Sequence, residues 1–184
     1  LKSLEAAFNQ RQEVKLIFWH HFDALGYVPR SWQNALAEMG KQGWVVVISS
    51  SRLETGAANQ LKSLGYLISQ RENLGRCLGA YRDFCRLLEQ NQNLRDRIDT
   101  LVLCNDSVLP LGGVEPFCQQ AENIHKQIRG KEAKLVGLTD SVQTRAYHIQ
   151  SYFLSLNSAL LKTSTWTEFW DNVDLAGSKD DIIQ

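Results

Sequence analysis

Trp44-Val-Val-Val-Ile48, followed by Ser49-Ser-Ser51, decides the fold class of this chain. Four β-branched residues in a row, opened by an aromatic one, read as a strand buried on both faces. Such strands belong to parallel sheets covered by helices. The serine triplet is expected to stop it.

The flanks of that stretch repeat the pattern. Upstream, Val14-Lys-Leu-Ile-Phe-Trp19 reads as another buried strand. Ser31 to Gly43 carries Trp32, Ala35, Leu36 and Met39 at helical spacing, with Ser31 as the expected N-cap and Gly43 as the stop. Downstream, Ala57–Leu64 reads as a helix and Tyr66–Ser69 as a strand. Leu78–Asn91 is a helix with Tyr81, Phe84, Cys85 and Leu88 on one face, and Ile98–Cys104 is a strand. Val114–Ile128 follows as a helix, then strands at Lys134–Leu138 and His148–Leu156. A last helix, Trp166–Val173, carries a stripe of Trp166, Phe169 and Trp170 that reads as core packing. Residues 1–177 then form one domain, with a polar, frayed tail at 178–184. Alternating strands and helices imply a three-layer α/β domain with a mostly parallel central sheet and right-handed crossovers.

Composition narrows the function. Twenty basic side chains balance twenty acidic ones. A nucleic-acid binder would show a basic surplus, so that class recedes. No apolar run reaches the length of a membrane span. The sequence begins at Leu1 rather than Met, which reads as a piece of a longer chain, with any targeting signal outside it. The four cysteines, Cys77, Cys85, Cys104 and Cys118, lack the spacing of a zinc or redox motif. They read as free thiols in a reducing compartment.

Open α/β sheets bind ligands outside the carboxyl ends of their strands. That rule places His20, His21, Ser49–Ser51, Arg71–Gly75 and Asn105–Ser107 along one rim. The loop Arg71-Glu-Asn-Leu-Gly-Arg76 runs from a strand into a helix. Gly75 and Gly79 would let backbone approach a ligand, and Arg71 and Arg76 carry charge suited to a diphosphate. The glycine spacing matches neither a Walker loop nor a dinucleotide fingerprint, and a turn with solvated arginines would look alike. Asp106, directly after an apolar strand, is placed to hold a divalent cation; an Asx turn is the competing reading. Asp140 is placed to act as a base toward an acceptor hydroxyl, with His148 shortly after it. His20 and His21 project to opposite faces of their strand, so they do not share one metal; His20 is the one directed to the ligand. A response-regulator-like domain would place acids where the first two strands here end in histidines and serines.

Five segments together resemble the rhamnan synthesis protein F family. They are Phe18-Trp-His-His-Phe22, Arg71-Glu-Asn-Leu-Gly-Arg76, Leu101-Val-Leu-Cys-Asn-Asp-Ser107, Gly137-Leu-Thr-Asp-Ser141 and His148-Ile-Gln-Ser-Tyr-Phe153, spread over roughly residues 14 to 175. The resemblance implies a GT-A-like (Rossmann-like) glycosyltransferase. It would move rhamnose or a related sugar from a nucleotide-sugar donor, dTDP-rhamnose-like, to a polysaccharide or lipid-linked glycan acceptor. It implies donor contacts from Arg71, Asn73 and Gly75, beside the strand-end candidates His20, Ser49, Arg76, Asn105, Asp106 and Ser107; it sets Asp106 where the fold keeps a metal- or ribose-binding acid, with Mg or Mn there, and turns Asp140 to the acceptor as catalytic base, supported by His148. It implies work in the cytoplasm at the inner membrane face, with membrane association only through other domains or partners. One departure stands out. The family's loop continues Arg-Glu-Asn-x-Gly-x-Asp, and here that last place is Cys77, which admits a degenerate, non-catalytic sugar- or protein-binding domain of a larger synthase.

Overall fold

The computed structural model describes residues 2–9, 11–107, 113–142 and 147–175. The expected tail at 178–184 lies outside them. The order of elements is α1 (Lys2–Asn9), β1 (Val14–His21), α2 (Arg30–Lys41), β2 (Val45–Ser50), α3 (Thr55–Ser63) and β3 (Leu67–Gln70). There follow α4 (Arg76–Gln90), α5 (Gln92–Arg95), β4 (Ile98–Asn105), α6 (Val114–Ile128), β5 (Leu135–Gly137), β6 (Asp140–Ser141), β7 (His148–Ile149), β8 (Phe153–Asn157), α7 (Ser158–Leu161) and α8 (Ser164–Asp171).

Six strands form the main sheet in the order β3-β2-β1-β4-β8-β5. β3, β2, β1 and β4 are mutually parallel. β8 runs antiparallel between β4 and β5. Chain order reverses between β1 and β4, which is the switch point beside which open α/β sheets place their ligands.

Period-two alternation sorts each central strand into two cores. Leu16 and Phe18 face α4 and the aromatic residues of α8, together with Tyr81, Phe84, Leu101 and Leu103. Ile17 and Trp19 face α2 and α6, with Trp32, Met39, Val102 and Cys104. Phe18 stacks on Phe84 at 4.3 Å, and Trp19 lies 5.1 Å from Trp32. Burying each such side chain stabilises the fold by roughly 1.5–3 kcal/mol. At the far edge one side chain joins four segments. Asn157 Nδ2 donates to the carbonyls of Ile128 (2.8 Å) and Glu132 (2.7 Å), and its Oδ1 accepts from the N–H groups of Lys134 and Leu160.

Several expectations need correcting. α1 was unforeseen: only Leu4 and Phe8 mark its buried face, and one apolar pair gives no visible period. α2 starts at Arg30 behind Pro29, so Ser31 lies inside the first turn and is not the cap. β1 and β2 run past their apolar cores to His21 and Ser50, because those polar side chains bond one another inside the sheet. The expected strand His148–Leu156 is two pieces. His148–Ile149 pairs with Asp140–Ser141 in a separate ribbon, and Phe153 onward enters the main sheet antiparallel. Asp140 therefore opens a ribbon strand rather than ending β5. In α8, Trp166 and Trp170 are buried but Phe169 is 53% exposed. All four cysteines are free, with Cys77 half-buried and the others buried.

Candidate functional site

The carboxyl ends of β1, β2, β3 and β4 carry the polar residues, and register brings them side by side. His20 pairs in register with Ser49 on β2 and Asn105 on β4. Each shares the face of Phe18, toward α4. His20 Nδ1 lies 3.3 Å from Ser49 Oγ. On the opposite face His21 bonds Ser50 Oγ at 3.0 Å and the Tyr27 carbonyl at 2.9 Å, so it is absorbed by the fold. The expectation that the two histidines diverge holds.

Arg71 begins the loop after β3, its N–H bonded to the Ser50 carbonyl. Its guanidinium is clamped: Nε donates to Asp83 Oδ2 and Nη2 to the Leu74 carbonyl, both at 2.9 Å. The loop folds back on the first turn of α4 so closely that a Cβ at Gly79 would sit 2.1 Å from the Leu74 carbonyl oxygen. Gly75, at φ 67°, precedes α4 with no side-chain cap. Arg76 follows in the left-handed region as well, at φ 52°, an arrangement that costs a non-glycine residue about 1 kcal/mol or more. Gly75 is buried, while Asn73 and Arg76 are exposed.

At the end of β4, the Asp106 N–H donates to the His20 carbonyl, and Asp106 Oδ2 accepts the Phe22 N–H at 2.7 Å. The Asn105 N–H donates to the Tyr152 carbonyl, and its Oδ1 accepts from the Ser107 N–H at 2.9 Å. Just below, the Tyr81 hydroxyl donates to the Ser151 carbonyl at 3.0 Å, and Cys77 Sγ lies 3.6 Å from Ser151 Oγ. Tyr81, Asp83 and Ser151 were missed as site residues. Tyr81 reads as one more apolar residue of α4, and nothing local marks Asp83 as the partner of Arg71.

Three polar atoms at this rim lack any hydrogen-bond partner among the described residues, His20 Nε2, Ser51 Oγ and Arg71 Nη1, and all are sealed from solvent. An unmet buried donor or acceptor costs roughly 1–3 kcal/mol. Such atoms mark a place for water or a ligand. Burial, then the Arg71 guanidinium, then His21 push the His20 pKa down to about 4, so its ring is neutral at pH 7. Burial pushes the Asp106 carboxyl above the usual range, against the Phe22 N–H and His21, which favour its anion. Burial likewise holds the Tyr81 phenol far above its ordinary value, so it stays an O–H donor.

Asp140 and His148 sit on the β6–β7 ribbon. Asp140 is exposed, and its hydrogen bond with Tyr147 pushes that phenol upward. The ribbon joins the rim through its backbone: the Gln150 N–H bonds the Thr139 carbonyl, and Ser151 and Tyr152 reach Tyr81 and Asn105. Asp106 offers one carboxylate oxygen beyond that held by Phe22. Among the described residues no three His, Cys, Asp or Glu side chains are grouped to hold a metal. A magnesium ion at Asp106 would therefore have to take most of its ligands from substrate phosphates and water. Among the same residues no helix is long and apolar enough to cross a membrane.

Sequence similarity covers most of the chain. The uncharacterized protein y4gN of Sinorhizobium fredii is 24% identical over 143 residues, covering 76% of this chain and 35% of that protein. The chain thus spans about a third of that relative's length. A family model for rhamnan synthesis protein F matches residues 45–184, from the start of β2 onward and through every rim segment except the end of β1. With that match over most of its length, the chain belongs to the rhamnan synthesis protein F family.

Proposed function

We propose that the chain is the donor-binding domain of a GT-A-like glycosyltransferase that moves rhamnose or a related sugar from a nucleoside diphosphate onto a polysaccharide or lipid-linked glycan. The observation that carries this reading is His20, flanked in register by Ser49 and Asn105 beside the strand-order reversal, with the Asp106 N–H on its carbonyl, the Arg71 guanidinium near enough to depress its pKa, and unmet atoms on His20 and Arg71. Arg71 and the 73–76 backbone take the diphosphate, the neutral His20 ring and Ser49 hydrogen-bond the nucleoside, and Asn105 to Ser107 line the sugar side. A magnesium or manganese ion near Asp106, when bound, neutralises phosphate charge. The acceptor oxygen attacks the anomeric carbon as the bond from that carbon to the phosphate oxygen breaks. The acceptor proton passes to Asp140, steadied by His148, and the electron pair leaves with the diphosphate, whose charge Arg71 meets. The domain works at the cytoplasmic membrane face through other domains or partners.

Titration with dTDP and UDP, with and without magnesium, tests this. Saturable binding is expected. Arg71→Ala should weaken it at least tenfold, since one charge-assisted contact is worth about 1.5–3 kcal/mol. Absence of binding to either nucleotide in every condition removes the donor site.

Cys77 supports a second reading, a degenerate domain. Its thiol is spent against Ser151 where the family pattern has an acid. If Cys77→Asp hydrolyses or transfers from a donor sugar and the parent does not, the degenerate reading stands.

A further inference from the structure

Past α8 the chain runs back along α4 to the 71–76 loop. α8 is fastened first. Trp170 is buried with its ring edge-on to Tyr81, 6.4 Å between centroids. Arg86 donates to Asp171 Oδ1 from Nε at 3.1 Å and from Nη2 at 2.9 Å. Asn172 closes the helix, its N–H bonded to the Glu168 and Phe169 carbonyls, and Val173 packs against the core on that face. Leu175 then meets the turn that starts α4. A Cβ at Gly75 would stand 2.9 Å from Leu175 Cδ2 and 3.0 Å from Gly79 Cα, so the leucine fills the notch left by the missing side chain. Leu175 is 39% exposed, so most of its surface is covered.

The two attachments leave little slack. From Gly75 to Arg86 the helix rises roughly 16 Å. The four steps from Asp171 to Leu175 span at most about 14 Å, and the turn at Asn172 shortens that reach. The Arg86 and Leu175 side chains make up the difference, so residues 172–175 form a taut strap running opposite to α4.

The turn under this strap carries the clamp on Arg71. The Leu74 carbonyl accepts Arg71 Nη2 at 2.9 Å, and the Gly75 carbonyl accepts the Gly79 N–H at 2.8 Å. Glycine does not restrict its own backbone, so a turn at Gly75 needs an outside contact to keep one conformation. Arg76, at φ 52°, is strained, and such a residue persists only where its surroundings hold it. Leu175 is the contact from outside the loop and α4 that bears on this turn.

We infer that Leu175 is a positioning residue of the rim: seated on Gly75, it holds the 74–76 turn and thereby sets the Arg71 guanidinium. What the loop binds rests on the donor-site reading; the hold of Leu175 on the turn does not.

Cys77, two residues beyond Gly75, is half-buried while the other three cysteines are buried, so its thiol reports on the turn without any ligand. The test compares the full chain with Leu175→Ala and Leu175→Met, following Cys77 labelling by dithiobis-nitrobenzoate, amide hydrogen exchange, urea unfolding and dTDP titration. Leu175→Ala should label at Cys77 at least fivefold faster and exchange faster at Gly75–Gly79, with a urea midpoint close to the parent's. It should bind dTDP at least fivefold more weakly. Leu175→Met refills the notch and should restore both. Unchanged labelling and exchange in Leu175→Ala would overturn the inference. So would faster labelling of the buried cysteines alongside Cys77 at a lowered urea midpoint, which is general loosening, or no recovery in Leu175→Met. Equal dTDP binding by a variant with a loosened turn would separate the turn from Arg71 and overturn it as well. If dTDP binds neither parent nor variant while Cys77 alone labels faster in Leu175→Ala, the donor reading falls and the hold of Leu175 on the turn stands.

Discussion

Gly79→Ala is expected to destabilise the fold by about 2 kcal/mol and to weaken nucleoside-diphosphate binding more than tenfold. Two effects oppose each other. Alanine is the better helix former by about 1 kcal/mol, so an unencumbered site would gain stability. Here the added carbon would stand 2.1 Å from the Leu74 carbonyl oxygen and 3.2 Å from Arg71 Nη2. Backbone within one loop and one helical turn yields only by moving the loop. Overpacking of this kind costs about 1–3 kcal/mol and sometimes more, so the clash wins. The displaced atoms are those that position Arg71: its Nη2 bonds that same Leu74 oxygen. Urea unfolding gives the stability change, and dTDP titration gives the binding change. A variant as stable as the parent and binding equally well would mean that the close approach of loop and helix does not shape the site.

That contact illustrates what could and could not be read from the residues in order. The sheet was legible because β1, β2 and β4 are buried on both faces and so carry unbroken apolar runs, as at Trp44–Ile48. The rim followed from the strand ends by topology alone. The long pairings were hidden. Arg71 is held by Asp83, and Asn105 by the Tyr152 backbone, across separations that no local pattern encodes. β8 was misjudged for a related reason. Ser151 and Tyr152 form a turn between two strand-like runs, and a polar pair with no glycine or proline gave no stop signal. Reversing β8 matters, because it lays Ser151 and Tyr152 beside Tyr81 and Asn105 at the end of β4.

Acidification should expose the strain stored at His20. Its pKa is about 4 in the folded chain, against 6.5 for an unburied histidine. Between those values the unfolded chain takes up a proton that the folded chain refuses, so stability is complete above pH 6.5 and falls as pH drops toward 4. Over that gap, at about 1.4 kcal/mol per pH unit, the loss reaches about 3 kcal/mol. Other groups titrate nearby. Burial depresses His125 and adds loss in the same direction, while the raised Asp106 carboxyl acts in the opposite sense. Only a difference between two proteins isolates His20. His20→Gln keeps a neutral hydrogen-bonding side chain beside Ser49 and removes the titration. Its deficit against the parent, measured by urea unfolding, should shrink by about 3 kcal/mol from pH 7 to pH 4. Parallel stability curves across that window would mean that the histidine takes up its proton as readily in the folded chain as in the unfolded one. In that event the rim would be open to water, and Arg71 would not lie against a neutral ring.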